Sequence, residues 1–170
     1  MNDSGPAAVS ERAAALWRAY LAGLPPDHPH WTVRITEFSF GDSPAMADEL
    51  AALVVSGRKQ ATATLAIQFA VEGAALPAVG DVSIVTRADG APVAAIETTD
   101  VRVVPFDAVD AEFAHAEGEG DRSLAWWRAA HTPTSAACSR RLAAASTAHR
   151  SSSANASGSS ASSATARRPR

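Results

Sequence analysis

The sequence predicts one α+β domain built around a mostly antiparallel, barrel-like sheet. Three observations carry this expectation. Apolar periodicities run in the order α-β-α-β-β-β-α-α, with helical and strand patterns mixed rather than strictly alternating. The 170 residues suffice for one core and rarely for two. Composition breaks near residue 131. Residues 1–131 hold all 18 acidic residues but nine of the 15 Lys and Arg, a formal charge of −9. Residues 132–170 hold six Arg and no acid, a charge of +6, with 11 Ala, 11 Ser, one Leu and no Val, Ile, Phe, Trp or Tyr. Such a segment buries too little apolar surface to offset its chain entropy. The expected organisation is an N-terminal helix and linker over 1–30, a domain over 31–131, and a disordered tail over 132–170.

Each element has a local reason. Ser10 caps a helix over 10–24 whose Ala13, Leu16, Trp17, Tyr20 and Leu24 recur at three- and four-residue steps. Leu24-Pro25-Pro26-Asp27 stops it. Residues 31–40 alternate as Trp31, Val33, Ile35, then Phe38 and Phe40, a strand with one slip of phase. Ser43 and Pro44 open a second helix, Met46, Leu50, Leu53 and Val54 form its buried stripe, and Gly57 closes it in a left-handed cap. Strands follow over 61–69, 81–87 and 92–104, with turns at Gly80-Asp81 and Asp89-Gly90. Residues 107–116 and 123–130 read as short helices.

Several classes drop out. No run of about 18 apolar residues occurs, so no membrane span is expected. No basic segment precedes an apolar one at the start, so no signal peptide is expected and the cytoplasm is the default. The single Cys138 excludes an internal disulfide and a cysteine-based zinc site. At −9, residues 1–131 make a poor non-specific nucleic-acid binder, and no DNA partner is expected.

Three motifs carry chemistry. In Gly57-Arg58-Lys59-Gln60-Ala61-Thr62 a helix end sets two cations and a threonine at the mouth of a strand; ordinary capping of the helix dipole is the plainer reading. In Glu117-Gly118-Glu119-Gly120-Asp121 three carboxylates lie within five residues. Glycines permit close backbone approach, and clustered carboxylates raise one another's pKa, which suits general acid–base work. A polar surface turn is the alternative, and one loop without further ligands makes no metal site. No metal or cofactor is expected. In Trp126-Trp127-Arg128 with His131, adjacent tryptophans diverge by about 100° on a helix. One is core and the other reaches the surface; packing is the first reading, a base-stacking platform the second. His115 and His131 read as hydrogen-bonded structural residues.

Taken together, these residues resemble the ASCH (activating signal cointegrator homology) domain, a relative of the PUA RNA-binding fold, and most of all its bacterial stand-alone members. The resemblance covers about residues 31–131. It rests on Ala47-Asp48-Glu49-Leu50 through Thr62, Leu76-Pro77 with Gly80-Asp81, Thr98 to Val101, Pro105-Phe106, Glu117 to Asp121, and Trp127-Arg128 with His131. It implies a small PUA-like barrel with flanking helices. Some stand-alone members hydrolyse the acyl amide of N4-acetylcytidine and related nucleosides. The resemblance would make Lys59 the base, Thr62 the nucleophile and Glu119 the acid/base, with Arg58, Glu117, Asp121 and Trp127 contacting the ligand. Other members are ribonucleases or RNA binders, so the implied ligand is a nucleoside or RNA. One position departs: Thr64 stands where amidohydrolase members carry Arg.

The family ends in an aromatic pair and an apolar closing strand, and this chain has neither in its own frame. Allowed codons for His131–Ser135, shifted so that each last base joins the next two, read His-Ala-Tyr-Phe. Those for Ser151–Ser160 read Val-Val-Cys-Glu-Arg-Phe-Arg-Val-Val. The tail is therefore expected to be out-of-frame translation, a genuine disordered Ser/Ala/Arg tail being the alternative, with the closing strand of the barrel missing and no functional weight on Cys138.

Overall fold

Capping chemistry sets the first helices. The computed structural model describes residues 9–135 and 141–150. Ser10 accepts the amide hydrogen of Ala13 and opens α1 (Glu11–Leu21), which buries Ala13, Trp17 and Leu21. A 3-10 turn over Pro29–Thr32 precedes β1 (Ile35–Ser39). Ser43 caps α2 (Pro44–Val55) by accepting from Met46, and Gly57 follows it at φ +73°. Next come β2 (Ala61–Leu65), α3 (Ala66–Glu72), β3 (Val82–Thr86) and β4 (Pro92–Pro105). The described residues end with α4 (Ala111–Glu117), α5 (Leu124–Ser135) and β5 (Arg141–Arg150). Among the described residues no helix is long and apolar enough to cross a membrane.

The strands form one sheet in the order β1-β3-β4-β5-β2, with β1 parallel to β3 and the other three pairings antiparallel. The α+β class holds, and the barrel is open, with β1 and β2 at opposite edges. Alternation gives the central strands two buried faces. Val82, Ile84 and Ala95 pack under α1 with Trp17, whereas Val85, Ala94 and Ile96 pack under α2 with Leu50 and Val54. Ala61 and Leu65 of β2 form a third cluster with Phe113 and Trp127 from α4 and α5. That third cluster is what holds the candidate site.

Four local expectations are corrected. Trp31 lies in the 3-10 turn, its indole N–H donating to the Pro25 carbonyl at 2.8 Å; Pro29 at the start of that turn fixes its φ. Residues 66–69 are helical, because Gly73 at φ +66° terminates a turn of helix-forming Ala, Gln and Glu. Met46 is 43% exposed, and the buried stripe of α2 is Ala47, Leu50, Ala51 and Val54. Small alanines let α2 approach the sheet, which turns Met46 outward. Residues 107–110 are not α-helical; a 3-10 turn over Phe106–Ala108 ends before Asp110 caps α4.

The tail differs most. Residues 141–150 were expected to contribute no strand, yet β5 fills the slot between β4 and β2, with Ala145 opposite both Val101 and Thr62. Composition limits side-chain burial, but backbone N–H and C=O groups pair with any non-proline sequence. Cys138 and residues 151–160, where the shifted frame would put the apolar strand, lie outside the described residues.

Because β5 is the sheet neighbour of β2, removing it strips β2 of its ladder. A chain ending at Ser135 is expected to melt lower than the full chain and to lose amide-exchange protection at Ala61–Leu65, while β3 and β4 stay protected from each other's side. Unchanged exchange at Ala61–Leu65 would refute the pairing.

Candidate active site

Two chain segments meet backbone to backbone. At the end of α2, the amides of Arg58 and Lys59 both donate to the Leu53 carbonyl at 3.0 Å, which turns the chain toward β2. On the other side, Asp110 caps α4 by accepting from Phe113 at 2.8 Å, and Gly118 ends that helix at φ +77°. The Gln60 amide donates to the Ala116 carbonyl at 2.7 Å and ties the two segments. Gly118 lies so close to Arg58 that a Cβ there would sit 2.7 Å from its carbonyl carbon and 2.9 Å from the Lys59 nitrogen. Only glycine permits both this backbone conformation and this approach.

The contact presses a cation against an acidic loop. Lys59 is 4% exposed. Its Nζ donates to Glu119 Oε1 at 2.6 Å and lies 3.5 Å from the Glu117 carbonyl oxygen. The Phe40 ring is 5.3 Å away, within cation–π range. Glu117 is 1% exposed, and its Oε2 accepts the Trp127 indole N–H at 2.6 Å. Burial pushes the Glu117 carboxyl above its ordinary range, against the opposing pull of Lys59 and His131.

His131 completes the cluster. Its ring stacks on Trp127 at 4.4 Å, and its Nδ1 lies 2.9 Å from the Trp127 carbonyl. A carbonyl only accepts, so Nδ1 carries the hydrogen. That leaves Nε2 facing Glu117 Oε2 at 3.7 Å. Trp127 itself packs on Phe106 and Phe113 and fastens α5 to the third cluster.

The residues singled out from sequence fall into separate places. Lys59 and Glu119 touch. Glu117 and Trp127 lie behind them, buried and bonded to each other. Arg58 is exposed, and its guanidinium donates to the Gly120 carbonyl at 2.6 Å. Thr62 stands half-buried on β2, three residues after Lys59. Asp121 turns to Ser123, accepting its amide hydrogen at 2.8 Å, and the Ser123 hydrogen bonds hold its carboxyl below the usual range. The expected mutual raising of the three carboxylates therefore does not extend to Asp121. Two partners escaped the sequence reading: the Phe40 ring, and the Glu117–His131 contact. Only the i, i+4 spacing of Trp127 and His131 hinted at the second. Among the described residues no group of three or more His, Cys, Asp or Glu is arranged to hold a metal.

Two expectations follow from this geometry. Gly118→Ala should destabilise the fold by at least about 2 kcal/mol, read from urea unfolding, because strain and a backbone clash combine. Glu117→Gln keeps an acceptor for Trp127 but cannot ionise. With its carboxyl raised on folding, Glu117 contributes stability that is full below the ordinary glutamate value of 4.5 and is lost as pH rises through the raised value. Melting curves between pH 4 and 8 should show the variant gaining on the wild type as pH rises; a constant gap would contradict a raised carboxyl.

A family model described as the ASCH domain matches residues 36–145, from β1 into β5. The chain is similar to the ASCH domain from Lactobacillus crispatus JV V101, at 28% identity and a TM-score of 0.76, covering 88% of this chain and 98% of that one. It is also similar to a protein from Enterococcus faecalis V583, at 28% identity and a TM-score of 0.64, covering 80% and 86%. No curated protein matches it. With the match running through every strand of the sheet and across the Lys59 and Glu119 segments, the chain belongs to the ASCH domain family.

Proposed function

We propose that this protein hydrolyses the acyl amide of N4-acylated cytidine-type nucleosides. The observation behind the reading is the pairing of buried Lys59 with half-buried Glu119 at 2.6 Å, at the foot of the strand that bears Thr62. A lysine and a carboxylate this close exchange a proton without solvent. In the proposed cycle Lys59 passes its proton to Glu119, and the neutral amine takes the proton of the Thr62 hydroxyl. The Thr62 oxygen bonds to the acyl carbon. The carbon–nitrogen bond breaks, and Glu119 returns its proton to the leaving N4 amine. Water then repeats the sequence on the acyl-threonine, releasing a carboxylic acid and restoring Thr62. Glu117, Trp127 and His131 support the site from behind by fixing the loop that bears Glu119.

The charge of residues 1–131 favours an uncharged nucleoside over RNA, because −9 repels a polyanion. The chain as given, and a version with its last residues restored to the shifted frame, should each release cytidine from N4-acetylcytidine. Sequencing the gene across codons 125–165 tests the frame itself. Lys59→Ala and Glu119→Gln should each lower turnover by about 100-fold or more with circular dichroism unchanged. Intact N4-acetylcytidine together with a salt-dependent affinity for RNA would replace this reading with an RNA-binding or ribonuclease one.

A further inference from the structure

We infer that Trp126 is a stacking platform for the planar base of the ligand, mounted on the acidic loop. The two adjacent tryptophans of α5 have opposite fates: Trp127 is 1% exposed and Trp126 is 36% exposed. Trp126 is nonetheless fixed. Its amide donates to Ser123 Oγ at 3.1 Å in the first turn of the helix. Its indole lies on the bare Cα of Gly120, where a Cβ would come within 2.6 Å of Nε1 and nearer still to the shared bond of the two rings. One part of the indole therefore covers the loop backbone, and the remainder meets solvent.

The loop beneath that ring is the one that bears the acid. Glu119 pairs with Lys59, and the Gly120 carbonyl accepts from Arg58. Gly120 supports the indole. Consecutive residues thus connect a reactive carboxylate, a guanidinium and an aromatic ring in one rigid unit. A tryptophan held in one orientation loses little freedom when a ligand stacks on it. Base–aromatic stacking is tolerant of base identity, since every base offers a π-face. Gly120 is then glycine because any side chain would displace the ring.

The choice of a nucleobase rests on the proposed nucleoside reading, whereas the exposed, mounted indole does not. Cytidine is the probe, titrated into the full chain with NMR of its H5 and H6 protons and calorimetry. Wild type should shift H5 and H6 upfield through the indole ring current. Trp126→Ala should remove the shift and weaken Kd about tenfold or more, while Trp126→Phe keeps most of both. The same Ala variant should raise KM for N4-acetylcytidine with kcat near wild type. Upfield shifts without hydrolysis would leave the platform standing and overturn the hydrolase. Hydrolysis with Kd and KM unchanged in Trp126→Ala, which the folded Phe variant controls for, would overturn the platform alone. A wild type that neither binds cytidine nor hydrolyses the amide would overturn both.

Discussion

The close approach of Gly118 to the Arg58 carbonyl is the constraint on which the rest of the site depends. It brings two segments about 60 residues apart into backbone contact, and so sets Lys59 against Glu119. Removing a lysine from water costs several kcal/mol unless a partner is supplied at good geometry. Here the partner is a carboxylate at 2.6 Å, with a backbone carbonyl and an aromatic face around the same ammonium. A pair of this kind adds little net stability over apolar packing.

Behind the pair, charge is arranged with care for the proton count. Two glutamates face one lysine, and burial disfavours a second negative charge. Burial therefore pushes the Glu117 carboxyl up, against the pull of Lys59 and of His131 at its edge. Trp127 serves both systems. Its indole N–H satisfies Glu117, and its rings fill the space between Phe106, Phe113 and His131. The apolar core and the polar site thus share one side chain, and disturbance of either reaches the other.

The sheet explains why this corner can be rigid. β3 and β4 are covered on both faces, by α1 and by α2, and β4 runs on for 14 residues to reach α4. The site hangs on the far end, where β2 lies under α4 and α5 rather than in the doubly covered centre. β2 is joined to β4 only through β5, so the strand that bears Thr62 depends on the segment with the least apolar sequence in the described fold.

What the sequence determined by itself is what local chemistry decides. Ser10 and Ser43 accept amides at helix starts, and Gly57 adopts positive φ where α2 stops. These effects act over three or four residues, so capping positions are legible without the fold. The divergence of Trp126 and Trp127 followed from helix geometry in the same way. Tertiary structure decided what depends on distant partners. Met46 lost its place in the core to two alanines because the sheet came close. β5 became a strand because two others offered unpaired backbone, which no side-chain pattern within it records. Asp121 left the carboxylate cluster for Ser123, and Glu117 went inside to meet Trp127. Sequence lists which groups can ionise; only the packing around each one, through burial and the nearest donor, decides which of them keeps its proton.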